Sequence, residues 1–139
     1  MKNIKIVMVI VLGLVLCSAA VPKKPDCKKT AETFLAGVLK GEIDKSYDEI
    51  IPEWLKEAKP QEVQVLKSQT KTTLDTRGKL LGYEFIKQQK YGDCLVRLVY
   101  VLKPERMPLT WEFYFYKASS DWSLVNIKFS DEYDLLADK

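Results

Sequence analysis

The hydrophobic pattern changes period once along the chain. From Ala31 to Leu74 apolar residues recur at intervals of three and four; beyond Gly78 they recur at every second position. The first spacing marks one face of a helix, the second a half-buried strand. Ala31, Phe34, Leu35, Val38 and Leu39 form the first helical stripe, with Cys27 one turn earlier on the same face. Asp26 is placed to cap that helix and Gly41 to end it. A second helix is expected from near Asp44, carrying Tyr47, Ile50, Ile51, Trp54, Leu55 and Ala58 on its buried side. Pro52 either kinks this helix or opens a new short one. Pro60 suits the first turn of a third, lined by Val63, Leu66, Thr70 and Leu74 and closed by Gly78.

Four strands are expected after Gly78: Leu80–Gln88, Cys94–Leu102, Leu109–Lys117 and Trp122–Ser130. Short polar turns separate them, which indicates an antiparallel meander. Alternation assigns their faces. Cys94, Val96, Leu98, Tyr100 and Leu102 share the inner side of the second strand. Leu109, Trp111, Phe113 and Phe115 do so in the third, Val125, Ile127 and Phe129 in the fourth, and Leu81, Tyr83 and Phe85 in the first. The expected fold is α+β: N-terminal helices packed on a curved, four-stranded antiparallel meander.

The first twenty residues stand apart. Lys2 and Lys5 precede an apolar run from Ile6 to Leu16, and Ser18-Ala19-Ala20 supplies small residues where a signal peptidase cuts. This is the three-part pattern of a secretory signal peptide over 1–20. The run is too short for a membrane span, which takes roughly twenty residues. A periplasmic or secreted protein without a membrane anchor after cleavage is therefore expected. Residues 21–25 read as a short extended leader, 26–130 as the domain and 131–139 as an acidic tail. Cleavage removes two lysines and no acids, leaving 20 basic and 19 acidic residues. So balanced a surface offers no footprint for nucleic acid.

Chemistry is constrained as much by what is missing. The chain has no histidine, which excludes Ser-His-Asp and Cys-His catalysis and removes the commonest metal ligand. It has no Gly-rich phosphate loop and no CxxC pair. Asp44, Asp48, Glu49, Glu53 and Glu57 cluster without calcium-loop spacing and read as a solvated helix face. No catalytic, cofactor-binding or metal-binding residue is assigned. Cys27 and Cys94 form an even pair for an oxidising compartment, and two separate periodicities aim both inward; a disulfide between them is expected.

Several segments carry a family resemblance. They are Ala31-Glu32-Thr33-Phe34-Leu35 through Lys40-Gly41-Glu42-Ile43, Gly78-Lys79-Leu80-Leu81-Gly82, Trp111-Glu112-Phe113-Tyr114-Phe115-Tyr116-Lys117 and Asp121-Trp122-Ser123-Leu124. In this order the chain resembles the nuclear-transport-factor-2-like superfamily, the cystatin-like α+β roll, and especially its exported bacterial members. The resemblance implies a cone in which helices cap a bent sheet over a pocket, with many members dimerising through the outer sheet face. It also implies enzymes such as ketosteroid isomerase, with an Asp base and a Tyr or Asp donor in the pocket. The inner-face positions derived above contain no Asp or Glu to match them, and a fold alone does not transfer activity.

Two surfaces follow as candidates. Tyr47, Trp54, Tyr83, Tyr100, Trp111 and Phe113 could line a pocket for a small apolar ligand, in competition with filling the core. Val99, Val101, Tyr114, Tyr116 and Leu124 fall on the outer face and could contact a second copy of the chain. The function expected is ligand or protein binding without catalysis. The alternative is a small isomerase or hydrolase using a Tyr and carboxylate in the cone. A cystatin-like inhibitor would need apolar, Gly-bearing loop tips, whereas Lys103-Pro104-Glu105-Arg106 is charged.

Overall fold

The computed structural model describes residues 26–137. The expected signal segment and leader lie outside the described residues. Four helices, α1 (Cys27–Leu39), α2 (Ile43–Ile50), α3 (Glu53–Ala58) and α4 (Pro60–Asp75), precede four strands, β1 (Leu80–Tyr91), β2 (Leu95–Pro104), β3 (Leu109–Lys117) and β4 (Trp122–Ser130). The strands form one antiparallel sheet in the order β1-β2-β3-β4. This is the α+β arrangement expected, and it is compatible with a nuclear-transport-factor-2-like fold. No described helix is long and apolar enough to cross a membrane.

Local signals place the helix ends. The Asp26 carboxylate accepts from the Lys28 amide at 3.0 Å and caps α1. Gly41 follows with a φ of 78°, a left-handed conformation that a side chain would oppose. Gly37 lets α1 and α2 approach, since a Cβ there would collide with the Ser46 hydroxyl. Pro52 breaks the second helical stripe and stands at the N-cap of the short α3, and Pro60 opens α4. The start of α2 differs from expectation: its N-cap is Glu42. Asp44 is instead committed to Lys71 of α4, at 2.7 Å.

The core lies between α1, α2 and the inner sheet face. Phe34 sits at its centre, with ring centroids 4.9 Å from Tyr47, 5.2 Å from Trp111 and 5.6 Å from Phe113. Edge-on and tilted geometries of this kind add to the burial of each ring. Val96, Leu98, Tyr100, Leu102, Leu109, Trp111, Phe113 and Phe115 are all buried, as alternation requires.

Bulges correct the outer strands. Between β3 and β4, Tyr114 pairs with Asn126 but Phe115 with Leu124, so Val125 is an extra residue on β4. The bulge reverses the phase of everything before it. Leu124, expected on the outer face, therefore packs in the core at 3% exposure. Two irregularities act similarly in β1, with Leu81 and Ile86 as the extra residues. Leu81, expected inside, is 62% exposed, and Leu80 packs against the core instead.

The expected disulfide is also corrected. Cys27 and Cys94 are both free thiols. β2 begins at Leu95, so Cys94 belongs to the turn, where strand alternation no longer directs its side chain, and it is exposed. Cys27 is half-buried, and burial together with the Asp26 charge pushes its thiol up to about 11.

The outer sheet face is not the open patch expected. Val99 is fully buried, Val101 and Tyr114 are half-buried, and only Tyr116 of the five candidates is exposed. A polar network crosses this face. Arg97 donates through Nε to Glu112 Oε1 at 2.7 Å and through Nη1 to Gln89 at 2.5 Å, while Tyr114 donates to Glu112 at 3.2 Å. The Arg97 and Glu112 side chains are only 11% and 8% exposed. This network joins β1, β2 and β3 and fixes their register.

Candidate ligand groove

The chain from Ile50 to Pro60 determines the shape of the site. Pro52 has extended backbone, so α3 leaves the line of α2, and Pro60 turns the chain again into α4. Three ties hold α4 against α2. Tyr47 and Thr70 hydroxyls meet at 2.8 Å in the interior, Lys67 reaches Asp48 at 2.6 Å and Lys71 reaches Asp44 at 2.7 Å. Thr70 also donates to the Leu66 carbonyl at 2.7 Å. A hydroxyl has one proton, so Tyr47 is the donor to Thr70. Burial pushes the Tyr47 phenol far up, which keeps it in its donating form. The Lys71 hydrogen bond holds the Asp44 carboxyl below its ordinary value.

α4 held in this way leaves a groove of about 780 Å³ between itself, α3 and β4. Trp54, Leu55, Val63, Val65 and Leu66 line its helical walls, Ile51 the corner between α2 and α3, and Leu124, Val125, Asn126 and Ile127 the strand side. Trp54 and Val65 are each 53% exposed at its mouth. The polar rim comprises Gln61, Gln69 and a Lys59–Glu62 ion pair at 3.1 Å. A volume of this size lies within the range of small-molecule sites. A smaller cleft of about 230 Å³ lies beyond the Ile50–Pro52 corner, lined by Cys27, Thr30, Glu49, Phe115, Trp122, Ser123 and Leu124 among others.

The structure separates the aromatic candidates. Trp54 lines the groove. Tyr47, Tyr100, Trp111 and Phe113 are fully buried in the core. Tyr83 is half-buried at the β1 edge, 6.0 Å from the Tyr100 ring. The Tyr100 hydroxyl donates to Glu32 of α1 at 3.3 Å. Burial, and next the Glu32 charge, push both Tyr100 and Tyr83 upward. This carboxylate–tyrosine contact comes from a helix, where strand alternation could not reveal it. Val65 and the groove's polar rim were also missed. Their signal was Val65 itself, an apolar residue off the Val63-Leu66-Thr70-Leu74 stripe.

The arrangement can desolvate an apolar body and orient it through a few amides and one ion pair. Among the described residues no cluster of Cys, Asp or Glu is placed to hold a metal ion. No protein-family model, curated protein or solved structure matches this chain.

Proposed function

We propose that this chain is an exported binding module of the nuclear-transport-factor-2-like type, without catalysis of its own, which seats a small apolar ligand in the groove between α3, α4 and β4. The observation that carries the reading is the groove itself: about 780 Å³ of largely apolar lining with Trp54 and Val65 at its mouth. Large apolar side chains left in water at a concave site cost free energy that a ligand recovers. The basic start, apolar run and small residues of 1–20 support export.

Titration with the uncharged fluorophore N-phenyl-1-naphthylamine tests this reading. Saturable enhancement is expected, with Val65→Arg abolishing it and leaving the unfolding midpoint unchanged. Arginine is a good helix former, and the position is exposed. Equal enhancement in Val65→Arg would remove the groove from the account. A second reading, a small isomerase or hydrolase, is favoured by one observation, the Glu32–Tyr100 contact beside Tyr83. Turnover of a ketone or ester substrate that vanishes in both Glu32→Gln and Tyr100→Phe would establish it.

A further inference from the structure

We propose that the free edge of β4 accepts an extended peptide as an added antiparallel strand, with apolar side chains at alternate positions and a Lys or Arg near its C-terminal end. The proposal rests on reading the groove as a binding seat, and it adds to the small apolar ligand of the groove alone a longer occupant that reaches both cavities.

Among the described residues β4 pairs with β3 alone, so its other edge carries N–H and C=O groups that no described strand pairs. The residues lining the two cavities identify where that edge points. Leu124, Val125, Asn126 and Ile127 line the groove, while Trp122, Ser123 and Leu124 line the smaller cleft. A cavity over one face of a strand meets alternate residues. Here residues of both faces are met between Trp122 and Ile127, so both cavities open onto the edge of β4, one on either side of the Val125 bulge. Backbone groups at such an edge need hydrogen-bond partners. A purely apolar molecule leaves them unpaired, whereas an added strand pairs them and places alternate side chains against Trp54, Leu55 and Val65. Antiparallel addition continues the pattern of the sheet and is the more stable pairing.

Charge sets the direction of the occupant. Glu49 lines the cleft at the Trp122 end. Its neighbours Asp44, Asp48 and Glu53 are bridged to Lys71, Lys67 and Lys56, whereas Glu49 has no ion-pair partner among the described residues. Lys117 lies over the Trp122 ring, 5.1 Å from its centroid, and does not line the cleft, so the Glu49 carboxylate is the charge that faces an occupant there. An antiparallel strand brings its C-terminal end to Glu49, which selects a basic residue there.

The test is calorimetric titration of the purified protein with a short capped peptide that alternates valine and threonine and ends in lysine. Binding is expected, weaker by about tenfold or more when alternate peptide amides are N-methylated, since two or more strand hydrogen bonds are lost. Replacing the terminal lysine by glutamate is expected to weaken binding about fivefold, the worth of an exposed ion pair. Glu49→Lys should reverse that preference, a result that a merely structural role for Glu49 would not produce. Equal binding of the N-methylated peptide, or an unchanged preference in Glu49→Lys, overturns the proposal. No peptide binding while N-phenyl-1-naphthylamine still binds overturns the strand proposal and leaves the groove reading standing; loss of both overturns both. A dimer in native mass spectrometry with β4 amides protected from exchange assigns the edge to a second copy and also overturns it.

Discussion

The hydroxyl pair between α2 and α4 makes an asymmetric prediction. Tyr47 donates to Thr70, and Thr70 spends its only proton on the Leu66 carbonyl. Tyr47→Phe removes one hydrogen bond and leaves only a spare acceptor lone pair on Thr70, at a cost of about 1 kcal/mol. Thr70→Val keeps the shape but strands the Tyr47 hydroxyl in a fully buried site. An orphaned buried donor costs more, about 2 kcal/mol. With a urea slope of about 1.5 kcal/mol/M, the two midpoints should fall by about 0.7 M and 1.3 M. The double variant then discriminates. Adding Tyr47→Phe to Thr70→Val removes the orphan, so the second substitution should restore about 1 kcal/mol. Urea unfolding of the four proteins, followed by circular dichroism, supplies the cycle. Additive losses, or a larger loss from Tyr47→Phe than from Thr70→Val, would refute the assigned donor and the role of this pair in holding the groove wall.

Other expectations follow from the same structure. Arg97→Met leaves Glu112 buried without its partner and should cost about 3–5 kcal/mol in chemical denaturation, whereas Arg97→Met with Glu112→Leu should recover most of it. Asp44 is held below its unfolded value, so its contribution to stability is present above that value and is lost as pH falls through the folded one. Asp44→Asn should accordingly flatten the acid limb of the stability profile. The Cys27 thiol is raised to about 11, so peptide mapping after iodoacetamide at pH 8 should find exposed Cys94 labelled well before Cys27. A crosslink between the two, recovered from non-reduced protein, would contradict the free thiols.

Much of the fold was legible because single residues act locally. Gly41 ends α1, Pro52 stands at the N-cap of α3 and Pro60 opens α4, and the inner set that alternation gives β3, Leu109, Trp111, Phe113 and Phe115, is buried throughout, with Thr110 and Glu112 opposite buried as well. Bulges were not legible. Nothing in the composition of β4 announces that Val125 is an extra residue, yet it reverses Leu124 from solvent to core. The same limit misplaced Leu81, whereas Cys94 was misplaced because its strand starts one residue later. The groove was legible in one part only. Trp54 signalled it by size, but the facing Val65 and the β4 edge are brought together by the direction of α4 after Pro60. Periodicity within one element carries no information about that direction.

The central claim is that apolar ligands enter between α3, α4 and β4. Photolabelling with an uncharged aliphatic diazirine, followed by peptide mass spectrometry, reads that location directly. The account predicts adducts concentrated on Trp54, Val65 and the 124–127 stretch, competed away by N-phenyl-1-naphthylamine. Adducts spread evenly over the surface, or concentrated on the β1 edge at Tyr83 and Phe85, would contradict it.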